Sequence, residues 1–157
     1  MGAGSYARVS DNPSFLATSF RNPLDDGLST AANDGDGYYV ANGFNEPNPD
    51  LGGSFHLGAD WNSAAGENSN LGDPVYAIGN ATVVAVVSDQ GASTTGFGNY
   101  VVLRHDLPQA ILINGQMVDH VNSLYAHLDS VSALSIGQQI GIGQQIGTLG
   151  RGIAFGI

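Results

Sequence analysis

Residues 56–62, His-Leu-Gly-Ala-Asp-Trp-Asn, put an imidazole and a carboxylate four positions apart on glycine-containing backbone. Imidazole and carboxylate are both groups that can hold a metal ion such as zinc, each at about 2 Å from it. On a straight strand, rising about 3.3 Å per residue, the two Cα atoms would stand roughly 13 Å apart. The backbone must therefore curve if His56 and Asp60 are to share an ion. Gly58 sits where the curve is required, and Gly52 and Gly53 loosen the approach. The spacing permits a shared metal without demanding one, because an ordinary polar turn gives the same string. With no cysteine in the chain, thiolate sites and disulfides are excluded, and any metal must use histidine and carboxylate ligands.

Three other histidines could take part. His127, in Leu-Tyr-Ala-His-Leu-Asp, is expected on a strand with Tyr125 on its own face, as an active group or as a hydrogen-bonded strand residue. His105 would share a face with Val101 and Leu103, which favours a structural role, and His120, beside Asp119, is expected to be solvated. The Asn-Asp-Gly-Asp-Gly run at 33–37 invites a calcium reading. It lacks the carboxylate spacing and closing glutamate of an EF-hand loop and reads as a turn.

The elements that must position these groups are strands. Among 157 residues, enough for one domain with a real core, 23 are glycine, and no long stretch repeats apolar residues with a helical period. The chain is expected to be all-β and mostly antiparallel, with little helix. Residues 1–50 are rich in Asn, Asp, Pro and Gly and read as a loop-rich N-terminal segment; residues 51–157 form the β domain. Strands are expected at 74–78, 81–88, 99–105 and 121–129, with a hairpin turning at Asn114-Gly115. The repeated Gly-Gln-Gln-Ile-Gly near the end reads as two tight turns around a short strand, since a solenoid needs at least three repeats.

The formal charge of −10, with four arginines as the only basic residues, opposes binding to nucleic acid or to an anionic membrane surface. The aliphatic run at 83–87 is too short to span a bilayer, and the first residues lack the apolar core of a signal peptide.

Taken in order, "HLGADW", "GDPVYAIGNATVVAV", "GFGNYVVLRHD" and "SLYAHLDSVSALSIGQQIGIGQQIGTLG" resemble the lysostaphin-like (LytM-type) zinc metallopeptidases that cut peptidoglycan cross-bridges. The likeness covers roughly residues 52–150. Each piece is weak alone; the ordered set is specific. The resemblance implies a duplicated-hybrid-motif-like, lysostaphin-type sheet whose open groove holds one Zn2+ and an extended peptide. It implies His56 and Asp60 as metal ligands, His127 as the catalytic histidine, and His105 as a histidine outside the ligand set. Such an ion polarises the scissile carbonyl and acidifies water, and a neighbouring histidine moves the proton or steadies the oxyanion.

The family completes its site with a His-x-His on a late strand, and no His-x-His occurs in this chain. The third protein ligand is therefore absent from the sequence, and the β domain is expected to be C-terminally truncated. The expected activity is zinc-dependent hydrolysis of peptidoglycan peptide cross-links, outside the cytoplasm. The alternative is a degenerate, non-catalytic domain that binds peptidoglycan or regulates a cell-wall hydrolase such as an amidase. A β-rich carbohydrate-binding module would also suit the composition, but would not need His56, Asp60 and His127 to converge.

Overall fold

The computed structural model describes residues 15–24, 37–48, 53–63, 71–90 and 96–150. Among these the chain is all-β, with ten strands, no α-helix and antiparallel pairing throughout. Strands β5 (Pro74–Tyr76) and β6 (Ala81–Val87) fall where the β-branched runs placed them. The next strands are longer than the sequence suggested. Residues 99–105 and the first arm of the hairpin form one strand, β7 (Asn99–Ile113), while the second arm and residues 121–129 merge into β8 (Gln116–Val131). Asn114 and Gly115 join them with φ of 49° and 79°, the pair of positive values that a type I′ turn requires. Pro108 lies inside β7, where the register shifts between Asp106 and Ile111; a proline is tolerated there because the ladder is already interrupted.

The glycine repeat builds the last two strands, β9 (Gln139–Ile140) and β10 (Gln145–Leu149). Its two copies make matching turns. Gly137 and Gly143 both take left-handed φ, 87° and 77°. Gln138 Oε1 accepts from the Ser135 N–H at 3.0 Å, and Gln144 Oε1 accepts from the Gly141 N–H at 3.4 Å. The Gly137 and Gly143 N–H groups then donate to the carbonyls of Val83 and Ala77, at 2.8 and 2.9 Å. One sequence thus clips the chain to two successive stretches of the sheet.

These six strands form one sheet in the order β5-β10-β8-β7-β6-β9. Its inner face buries Val83, Val101, Leu103, Leu128, Ile140 and Ile146, each worth roughly 1.5–3 kcal/mol when removed from water. Residues 15–24 lie across this scaffold. The N–H groups of Ala17 and Arg21 donate to the carbonyls of Asp106 and Ile78, both at 2.8 Å, and Leu24 joins the core.

Four short strands complete the fold: β1 (Tyr38–Asn42), β2 (Pro47–Asn48), β3 (Ser54–Phe55) and β4 (Asp60–Ser63). β1 pairs with β4 and β2 with β3, as two separate small sheets. Residues 38–48, expected to be loop-rich, therefore contain two strands, and their pairing crosses the expected boundary at residue 50. Tyr38 and Trp61 pack against the main core, which ties the β1–β4 pair to it. The first fourteen residues, the Asn-Asp-Gly-Asp stretch at 33–36 and the final segment 151–157 lie outside the described residues.

Candidate active site

The His56–Asp60 pair is held by strand pairing on both sides. The His56 N–H donates to the Glu46 carbonyl at 3.0 Å, and its carbonyl accepts from the Asn45 N–H at 2.7 Å. Asp60 opens β4 opposite Asn42, the last residue of β1. The brace is thus the turn at 43–46, itself closed by the Gly43 N–H donating to the Glu46 carboxylate at 2.7 Å and by Asn45 in a left-handed conformation, φ 63°. Sequence reasoning missed these residues; the only hint was the turn-rich Asn-Gly-Phe-Asn at 42–45. Between His56 and Asp60 the chain bends at Leu57 and Gly58. The bend does not need a left-handed glycine at 58, and a Cβ there would meet nothing closer than the His56 ring at 3.7 Å.

The outcome is convergence. His56 Nε2 lies 3.4 Å from Asp60 Oδ1. Two ligand atoms, each 2.0–2.1 Å from one ion at a tetrahedral angle, would be about 3.3 Å apart, so the pair fits a shared zinc. Nε2 is the ring nitrogen that faces Asp60, while His56 Nδ1 is buried without a hydrogen-bond partner among the described residues. Asp60 is the more open of the two, with a side chain 56% exposed against 20% for His56. No group of three or more His, Cys, Asp or Glu suited to a metal occurs among the described residues. The structure brings two expected ligands together and adds no third.

His127 stands on β8 of the main sheet, and no hydrogen bond or ion pair joins it to the His56–Asp60 pair among the described residues. The expectation that it shares a face with Tyr125 is corrected. Tyr125 and Leu128 are buried, whereas His127 is exposed with φ 56°, a conformation rare for a residue with a side chain. Asn99 pairs with Leu128 and Val101 with Tyr125, so β8 carries one extra residue over this interval. The bulge breaks the two-residue alternation and turns His127 outward.

The other two histidines are not brought to the pair. His105 is fully buried, with Nε2 2.7 Å from Ser123 Oγ and Nδ1 3.1 Å from the Asn80 carbonyl. Burial pushes its pKa below the ordinary 6.5, against smaller opposing effects of the Asn80 carbonyl and the Asp106 charge. The Phe20 ring meets it edge-on. A side chain so enclosed is a core histidine, in line with the structural role expected from its strand face. His120 Nδ1 lies 2.8 Å from Asp119 Oδ1 at the solvent surface, and that contact holds the Asp119 carboxyl below its usual value.

An antiparallel all-β scaffold with a His–Asp pair set for one cation points to the class of β-rich metallopeptidases. The chain belongs to peptidase family M23, whose sequence profile matches residues 54–155 and so takes in His56, Asp60, His105 and His127. The resemblance read from the ordered motifs is borne out. Members of this family are generally zinc-dependent. No curated protein matches the chain. The match starts at the first residue of β3, so the bracing strands β1 and β2 precede it.

Proposed function

We propose that this domain hydrolyses peptide cross-links of bacterial peptidoglycan outside the cytoplasm, with zinc held by His56 Nε2 and Asp60 and with His127 as the acid/base or oxyanion-stabilising group. The observation that carries the reading is the 3.4 Å approach of His56 Nε2 to Asp60 Oδ1 across a bend braced from both sides. The family match supports the peptidase class. Zinc would supply Lewis-acid polarisation of the scissile carbonyl and of water. Sites of this kind use three protein ligands, so a further protein group is needed beside the two named here.

That third ligand aside, the named residues each have a defined part. Asp60 offers a carboxylate that is open to solvent, and His56 a ring whose backbone is fixed by Asn45 and Glu46. His127 presents an exposed imidazole from a rigid strand, able to move a proton at the reacting centre. The charge of −10 opposes a nucleic-acid partner.

The test is zinc titration by calorimetry of the native chain and of Asp60→Ala, with cross-linked muropeptide cleavage followed by mass spectrometry. Asp60→Ala should weaken zinc binding by more than roughly a hundredfold, since a directly bound group is worth at least as much as the outer partners that cost 10–100-fold. Equal zinc affinity and equal cleavage in the two proteins would overturn the assignment. Peptidoglycan binding without zinc or cleavage would leave a binding domain in its place.

A further inference from the structure

His127 is held in its conformation from three sides, and the groups that do so come from distant parts of the chain. Its N–H donates to the Phe97 carbonyl at 2.8 Å. Phe97 stands between Gly96 and Gly98, both left-handed at φ 70° and 59°, and this local path sets the direction of its carbonyl. The His127 carbonyl accepts from the Gly150 N–H at 3.1 Å. A Cβ at position 150 would fall 2.8 Å from the Asp129 nitrogen, so only glycine lets β10's exit lie this close to the bulge.

The third side is Asn99. It is one of the two buried polar side chains among the described residues, 3% exposed. Its Nδ2 donates to the carbonyls of Leu128 and Asp129, at 3.1 and 3.2 Å, and its Oδ1 accepts from the Gln90 N–H at 3.1 Å. Both amide hydrogens are thus spent on the two carbonyls that follow His127. A regular strand would put position 127 on the inward face with Tyr125; the extra residue turns it out. The extra residue is stable only if the displaced carbonyls find donors, because an orphaned buried carbonyl is costly. Asn99 is the side chain that supplies them.

We propose that Asn99 is the positioning residue for His127: its side-chain amide fixes the bulge that holds the histidine left-handed and outward. This rests on the catalytic role proposed for His127, but its geometric content can be tested separately. A residue of merely structural importance would lower stability and leave the His127 backbone as it is.

The experiment is NMR on the full 157-residue chain and on Asn99→Ala and Asn99→Asp. The aspartate keeps the size and the acceptor for Gln90 while deleting both donors. The readouts are the Cα and Cβ shifts of His127, which report its φ and ψ, and the exchange rate of its amide. In a variant whose core resonances are retained, the shifts should leave the left-handed range and the amide should exchange at least roughly tenfold faster as the bond to Phe97 loosens. With zinc and a cross-link peptide, kcat should fall roughly 10–100-fold with KM within about twofold, as displacement of a reacting group by about 1 Å does. Unchanged His127 shifts in a folded variant overturn the inference. So does failure of both variants to fold, which would make Asn99 a requirement of the whole sheet. If the native chain cleaves nothing while the shifts move as expected, the functional reading fails and the positioning stands.

Discussion

Replacing His105 with alanine should weaken the fold and leave the His56–Asp60 pair intact. The Asn80 carbonyl can only accept, so Nδ1 carries the ring proton and Nε2 accepts from the Ser123 hydroxyl. Alanine strands both partners. Each orphaned group costs about 1–3 kcal/mol, and Ser123, already in contact with the Tyr125 hydroxyl, falls at the low end. Lost packing of a fully buried ring against Phe20 adds about 1–2 kcal/mol. The total is about 3–6 kcal/mol, which for a chain of this size lowers Tm by about 10 °C or more. Urea unfolding can be followed through Trp61, the single tryptophan, which lies on β4 against the core. The midpoint should fall at unchanged slope, and zinc affinity of the folded variant should match the native chain. A loss below about 1 kcal/mol, or zinc binding abolished in a fully folded protein, would refute the reasoning.

The same histidine gives the domain a pH dependence. Because burial depresses its pKa, the unfolded chain takes up a proton on His105 before the folded one does. Its contribution to stability is fully present above about pH 6.5 and is lost as pH falls from there towards the folded-state value. Urea midpoints should decline below that point, and His105→Ala should lack this component of the decline. His127→Gly should raise stability by about 1 kcal/mol, since glycine adopts φ 56° without the cost a side chain incurs, while cleavage is lost. A destabilised glycine variant would mean that the ring itself contributes to the fold.

Much of the main sheet was legible because its signals are local. The β-branched run at 81–87, the Asn114-Gly115 turn and the paired glycine turns each specify their conformation within a few residues. The buried face of Val101, Leu103 and His105 followed from alternation alone. The convergence of His56 with Asp60 was legible as a possibility, and the required bend is present. What stayed hidden depends on distant partners. β2, at two residues, is too short to announce itself, and β1, Tyr-Tyr-Val-Ala-Asn, sits in a turn-rich setting and pairs with β4, about twenty residues further on. The outward turn of His127 was invisible because period-two reasoning has no term for an inserted residue. Its cause lies 28 positions earlier, counting 127 − 99, in the asparagine of Gly-Phe-Gly-Asn.

The brace at residues 42–46 carries a lesson for anyone transplanting this chemistry. A segment cut to the family match at 54–155 would carry His56 and Asp60 but none of the backbone that clamps them. On the proposed assignment, the five residues 56–60 would then have to be ordered by the ion itself, at about 1–2 kcal/mol of chain entropy for each residue newly fixed. That toll would come straight out of metal affinity. The portable cassette begins at Tyr38, so the border of ancestry and the border of the working part are different places in this chain.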